Sequence, residues 1–273
     1  MSTYQTQQRE KDLREELVHV GRLLWEKGLI AASDGNISAR LDGERVLTTP
    51  SGVSKGFMRP EQMVITDMTG RKLNVHDPGS RGLEPSSELL MHLEVYRQRP
   101  DVGAVVHAHP PITTAFTIAG ISLAQCVLPE VVMTLGSIPT TQYATPSSAQ
   151  GAEVIRELIR TYDALVLDRH GAITVGKTPT EAYMKMEKVE HTALVTLTAR
   201  QLGRVGLLPP EEVRKLTAWR RQKLGLPAEY GGEGCVKCGA CGREPEQEGS
   251  VNIADEEITR LVARVVSREL NRF

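Results

Sequence analysis

Val105-Val106-His107-Ala108-His109-Pro110-Pro111 is the stretch from which the rest of this chain can be read. Consecutive valines favour a strand, and in a strand residues i and i+2 share a face. His107 and His109 therefore stand side by side at a strand end, where the two prolines stop pairing and open a helix. Two imidazoles so placed can share a metal ion, and Glu88 and His170 are two further residues able to complete the site. A lone His-x-His pair also fits two histidines hydrogen-bonded in a core, so the metal reading depends on the company the pair keeps.

With 273 residues, the chain has room for one large domain, or one domain and an appendage. A net charge of −1 gives no basis for nucleic-acid binding. Met1 to Glu10 is polar and lacks the apolar centre of a secretory signal. No apolar run is long enough to form a transmembrane segment. Four cysteines, three of them clustered, fit a reducing compartment better than a disulfide framework, so a cytoplasmic protein is expected.

Working outward, Leu13, Leu17, Val20, Leu23 and Leu24 line one side of an opening helix that Gly28 ends. Strands are expected at Ile37 to Leu41, Arg45 to Thr49, Met63 to Asp67, Val102 to His107 and Ala164 to Asp168. Ala172 to Val175 forms a hairpin with the last of these or continues it. Helices are expected from about Glu88 to Arg97, with Ser86 and Ser87 as N-cap candidates, and then after Pro110. Two more fall at Ala149 to Thr161 and Thr180 to Leu202. Strands interleaved irregularly with helices indicate a layered α/β domain over residues 1–225.

Three polar stretches suit an anion. Gly35-Asn36 and Ser51-Gly52 combine glycines, which let backbone approach a ligand, with small polar side chains. Ser86-Ser87 offers hydroxyls and unpaired N–H groups at a helix start. Together they can cradle a phosphate monoester, though each alone is also an ordinary turn or cap.

In order and spacing these pieces resemble the class II aldolase/adducin family, within it the L-fuculose-1-phosphate aldolase branch. The resemblance spans about Leu13 to Leu208 and rests on Ser33-Asp34-Gly35-Asn36-Ile37-Ser38, Thr49-Pro50-Ser51-Gly52, Pro85-Ser86-Ser87-Glu88, His107-Ala108-His109 and Arg169-His170-Gly171. It implies a three-layer α/β/α fold around a mainly antiparallel sheet, and a homotetramer with active sites between subunits. It implies one Zn2+ per subunit held by His107, His109 and His170. Glu88 would be the catalytic acid/base, able to ligate the metal in the resting enzyme. Gly35, Asn36, Ser51, Gly52, Ser86 and Ser87 match positions that bind the phosphate of a small-molecule sugar phosphate.

One position departs from the pattern. The fuculose-phosphate enzymes carry a tyrosine, reaching in from a neighbouring subunit, that protonates the aldehyde end. Counting back from Ser137-Ile138-Pro139 puts Leu128 there, with Gln125, Cys126 and Glu130 nearby; Tyr143, the nearest tyrosine in sequence, is not the equivalent by motif. Glu130 reads as a solvated loop charge. The resemblance implies a lyase cleaving L-fuculose 1-phosphate, or a close deoxyketose 1-phosphate, to dihydroxyacetone phosphate and a lactaldehyde. Alternatives on the same scaffold are a pentulose-phosphate 4-epimerase, which has aspartate where Glu88 stands, a methylthioribulose-phosphate dehydratase, and a non-catalytic adducin-like domain.

Beyond residue 225 the composition shifts. Residues 226–254 form a Gly-rich linker carrying Cys235-x-x-Cys238-x-x-Cys241, spaced for a second metal or an iron–sulfur centre. Three thiolates leave a tetrahedral zinc incomplete unless Cys126, a histidine or another subunit completes it, and the cluster can equally bind nothing. Residues 255–273 show helical periodicity, with Ile258, Leu261, Val262, Val265, Val266 and Leu270 along one side. Such a tethered amphipathic helix resembles the encapsulation peptides of bacterial microcompartment cargo, with a shell protein as partner. Packing on the chain's own tetramer is the equal alternative, and membrane-surface binding a weaker one.

Overall fold

The computed structural model describes residues 3–226. The Cys235–Cys238–Cys241 cluster, the linker expected at 226–254 beyond its first residue, and the amphipathic stretch 255–273 lie outside the described residues. Helix α1 (Thr3–Glu26) ends at Gly28, which takes φ +68. The chain then forms β1 (Asn36–Arg40), β2 (Arg45–Thr48) and β3 (Val64–Asp67). After α2 (Leu89–Gln98) come β4 (Ala104–Ala108), α3 (Pro111–Ile118), α4 (Pro129–Thr134) and α5 (Ala149–Ile159). The hairpin of β5 (Ala164–Leu167) and β6 (Gly171–Gly176) precedes α6 (Pro179–Leu202) and α7 (Pro210–Leu224).

The six strands make one sheet in the order β3-β2-β1-β4-β6-β5, and every neighbouring pair is antiparallel. Alternation along the strands divides the core in two. Ile37, Ala39, Ala104, Val106 and Val166 face α1, α3 and α6, burying Leu17, Val20, Leu24, Phe116, Met186 and Val189. Val46, Val105, Leu165, Leu167, Ile173 and Val175 face α2 and α5, burying Leu93, Tyr96, Ile155 and Ile159. The result is the expected α/β/α sandwich.

Two helices were not expected. α4 and α7 pack together over Cys126, Val132, Leu208, Val213 and Leu216, and the buried Arg220 reaches the Thr134 carbonyl at 3.4 Å. Glu130, read as a loop charge, is exposed as expected but sits in the first turn of α4, where an acid complements the helix dipole. Leu128 is the N-cap residue of α4 and packs against the main core. Among the described residues no helix is long and apolar enough to cross a membrane.

Candidate active site

β1 begins, β4 ends and the β5–β6 turn protrudes at one end of the sheet, and α2 starts above it. His107 lies opposite Asn36 on β1 and Ile173 on β6. Directly opposed residues of an antiparallel pair share a face, so His107 and Asn36 both point toward α2. His109 follows two residues later on the same side. The β5–β6 turn brings in His170, with the preceding Arg169 strained at φ +55 and its N–H donating to Thr117 Oγ1 at 2.9 Å. Close approach of that turn to β4 requires Gly171, because a Cβ there would overlap the Ala108 carbonyl. Gly35 is similarly constrained: it takes φ +70, and a Cβ would lie 2.6 Å from Ile30 and 3.0 Å from the His107 carbonyl.

Ser86 or Ser87 was expected to cap α2. The N-cap is instead Glu88, without a capping bond from its side chain, while Ser86 Oγ accepts the Glu88 N–H at 3.3 Å. Its carboxylate is committed elsewhere. Oε2 lies 3.2 Å from His107 Nε2 and Oε1 lies 3.1 Å from His170 Nε2. Asn36 Nδ2 donates to Oε2 at 2.9 Å. His107, fully buried, donates Nδ1–H to the Ala172 carbonyl at 2.9 Å; a carbonyl only accepts, so Nε2 is the nitrogen left to face the centre. Its Nε2 lies 3.0 Å from His109 Nε2, and His109 Nδ1 lies 3.5 Å from Asp34.

The donor atoms of Glu88, His107, His109 and His170 all fall within 4.8 Å of one another. Three nitrogens and one carboxylate oxygen converging on a point, with ring orientations held from behind, fit a divalent cation. Burial, reinforced by the neighbouring His107 and His170, brings His109 down to about 4, so it is neutral near pH 7 as a ligand must be. Burial pushes the Glu88 carboxyl up, but the flanking His107 and His170 outweigh this and hold it well below the usual carboxylate range.

Behind the site, Ser38 Oγ links His92 Nδ1 at 2.7 Å to the Tyr96 hydroxyl at 2.8 Å. Burial drives His92 down to about 3 and pushes the Tyr96 hydroxyl well above the usual phenol range, so both are neutral supports. In front, a polar cavity of about 270 Å³ opens beside Glu88, His109 and His170. All six expected phosphate positions line it: Gly35, Asn36, Ser51, Gly52, Ser86 and Ser87. A Pro50–Pro85 bridge and the Ser51 N–H on the Glu84 carbonyl at 2.9 Å hold the second and third segments together. Ser33, Asp34, Lys55 and Ser147 also line the cavity. Sequence reasoning missed Lys55 and Ser147, because nothing local marks a lone loop lysine or serine as lining a cavity.

Over residues 15–197 the sequence matches the family described as class II aldolase and adducin N-terminal domain. An L-fuculose phosphate aldolase from Methanococcus maripaludis is 36% identical over 178 residues, covering 65% of this chain and 92% of that protein. A 3-oxo-tetronate 4-phosphate decarboxylase from Haemophilus influenzae is 31% identical over 207 residues, covering 74% of this chain and 95% of that one. The crystal structure of YgbL from Escherichia coli, described as a candidate aldolase, epimerase or decarboxylase, aligns with a TM-score of 0.69 at 29% identity. That alignment covers 76% of this chain and 99% of YgbL. A solved L-fuculose 1-phosphate aldolase aligns with a TM-score of 0.69 at 24% identity over 79% of this chain and 97% of its own, a likeness in fold.

Proposed function

Because the chain belongs to the class II aldolase and adducin family, and is a metal-dependent lyase, we propose that it breaks the carbon–carbon bond adjoining the ketone-bearing fragment of a small ketose phosphate. Our first reading of the substrate is a deoxyketose 1-phosphate, L-fuculose 1-phosphate foremost, cleaved reversibly to dihydroxyacetone phosphate and lactaldehyde. The observation that carries it is Glu88 suspended between His107 and His170, at the edge of a cavity lined by every expected phosphate position.

His107, His109 and His170 would hold the cation, and Zn2+ suits this nitrogen-rich set. When bound, it supplies Lewis-acid polarisation of the substrate carbonyl. The chain's own residues do the rest. Ser51, Ser86 and Ser87 offer hydroxyls, and Gly35 and Gly52 bare backbone, to the phosphate. Asn36, donating to Glu88, fixes the direction of the carboxylate. In the condensation direction Glu88 removes a proton from the hydroxymethyl carbon of dihydroxyacetone phosphate. The electron pair moves into the carbonyl as an enediolate, whose carbon attacks the aldehyde; in cleavage the same proton returns to the same carbon. Placing Ser86 and Ser87 next to that base couples phosphate anchoring to orientation of the reacting carbon.

A second reading is favoured by Leu128, where the resemblance expects a proton donor for the aldehyde. A 3-oxo-tetronate 4-phosphate loses carbon dioxide to give the same enediolate and, after protonation, the same dihydroxyacetone phosphate. That departure needs no proton on a leaving oxygen, and the Haemophilus influenzae relative carries this activity in its name. Assaying L-fuculose 1-phosphate, L-rhamnulose 1-phosphate and a 3-oxo-tetronate 4-phosphate separates the readings. Triose phosphate with lactaldehyde supports the first, triose phosphate with carbon dioxide the second, and epimerisation without triose phosphate contradicts both.

Assembly as a homotetramer belongs to the same proposal. So does docking of residues 255–273 on a microcompartment shell protein, supported by their apolar stripe and polar tether. Deleting that stretch is expected to leave turnover intact and abolish co-localisation with a shell; loss of the tetramer would favour packing on the enzyme instead.

A further inference from the structure

Lys55 opens a short 3-10 turn (Lys55–Phe57) and is only 2% exposed. Its backbone is pressed on α1 at Gly21, where a Cβ would lie 2.6 Å from the Lys55 carbonyl oxygen. From there the side chain runs inward to the polar cavity. The ammonium donates to the Ser33 carbonyl at 2.6 Å and to the Val53 carbonyl at 2.9 Å. It therefore ties the segment leading into β1 at Gly35-Asn36 to the segment after β2 that carries Ser51-Gly52. An ammonium has three N–H donors, so one remains beyond these two carbonyls.

Burying an ammonium against carbonyls, with no carboxylate bonded to it, is costly. Asp34 and Glu88 favour its charge only through space, and burial still draws it down to about 8. Among the described residues lining the cavity, Lys55 is the one lysine or arginine. A phosphate dianion brought into the same cavity would supply the missing countercharge and an acceptor for the third N–H.

We propose that Lys55 is the cationic anchor of the substrate's phosphate and sets the preference for phosphorylated over free ketones, while holding the two cradle loops at their spacing. This rests on the phosphate cradle named above, and the test separates the two. Inorganic phosphate is titrated into the metal-loaded full chain as wild type, Ser86→Ala, Lys55→Arg and Lys55→Met. Phosphate should bind the wild type, less tightly Ser86→Ala, and about 10- to 100-fold less tightly Lys55→Met, with Lys55→Arg recovering part of the loss. In proton exchange, the advantage of dihydroxyacetone phosphate over free dihydroxyacetone should narrow by a similar factor in Lys55→Met. A variant that slows both ketones alike, or binds phosphate like wild type, overturns the role of Lys55 and leaves the cradle standing. A wild type with no phosphate binding overturns the cradle and Lys55 together. If Lys55→Met does not fold, the ammonium 15N signal of Lys55 in the wild type, identified by its absence in Lys55→Arg, answers instead. Its displacement by phosphate supports the anchor, and an unmoved signal refutes it.

Discussion

Glu88→Gln should stop proton exchange at the hydroxymethyl carbon of dihydroxyacetone phosphate while leaving the metal in place. Glutamine has nearly the shape of glutamate and keeps one oxygen to accept the 2.9 Å bond from Asn36. It cannot take up a proton at neutral pH. His107, His109 and His170 remain to hold the ion, and the Ala172 carbonyl still orients His107. Removing a positioned general base typically costs about 10²- to 10⁴-fold in rate, or roughly 3–5 kcal/mol of transition-state stabilisation. The assay is incorporation of solvent deuterium into dihydroxyacetone phosphate followed by proton NMR, with metal per chain measured on the same sample. Exchange needs no aldehyde and no choice between the two proposed substrates. Exchange within about threefold of wild type in a metal-loaded variant would refute Glu88 as the base, since the expected loss is at least about 100-fold. Loss of metal together with exchange would make Glu88 an obligatory ligand instead.

His107→Ala should lower bound metal per chain sharply, since it removes the one fully buried imidazole of the set; elemental analysis of purified protein reads this out. Gly171→Ala should destabilise the fold by about 1–3 kcal/mol, because its Cβ overlaps the Ala108 carbonyl, and should weaken metal binding by displacing His170; urea unfolding and metal titration measure the two effects. Lys55 is held near 8 in the folded chain against a usual 10.5, so between those values the unfolded chain carries more protons. Its contribution to stability therefore rises with pH across that window, and Lys55→Met should flatten the rise in urea titrations of the ligand-free protein. Phosphate affinity should run the other way, falling above about pH 8 as the ammonium is lost.

The sheet end was legible because its information is local. Period-two alternation alone puts His107 and His109 on one face, and flanking turns delimit most strands to within two residues. Glu88 and His170 could be named as partners, but only the register of β4 against β1 and β6 shows why they meet. Glu88 at the N-cap of α2 escaped notice because serines are the better cap formers, and it gives up capping to reach the histidines. Helix α7 escaped because its sequence is mostly polar or charged, with an apolar side too thin to stand out until α4 covers it. Lys55 could not be found at all: nothing local distinguishes a lysine that burial commits to a cavity from one in solvent.

The central claim is a single divalent ion held by three imidazoles beside the Glu88 carboxylate. Its most direct test strips the purified protein with a chelator and returns zinc stepwise, following deuterium exchange together with X-ray absorption at the metal. The account predicts that activity rises in proportion to bound zinc and saturates at about one ion per chain, with nitrogen neighbours at about 2.0–2.1 Å. Full exchange in the stripped chain, or zinc bound without imidazole neighbours, would contradict it.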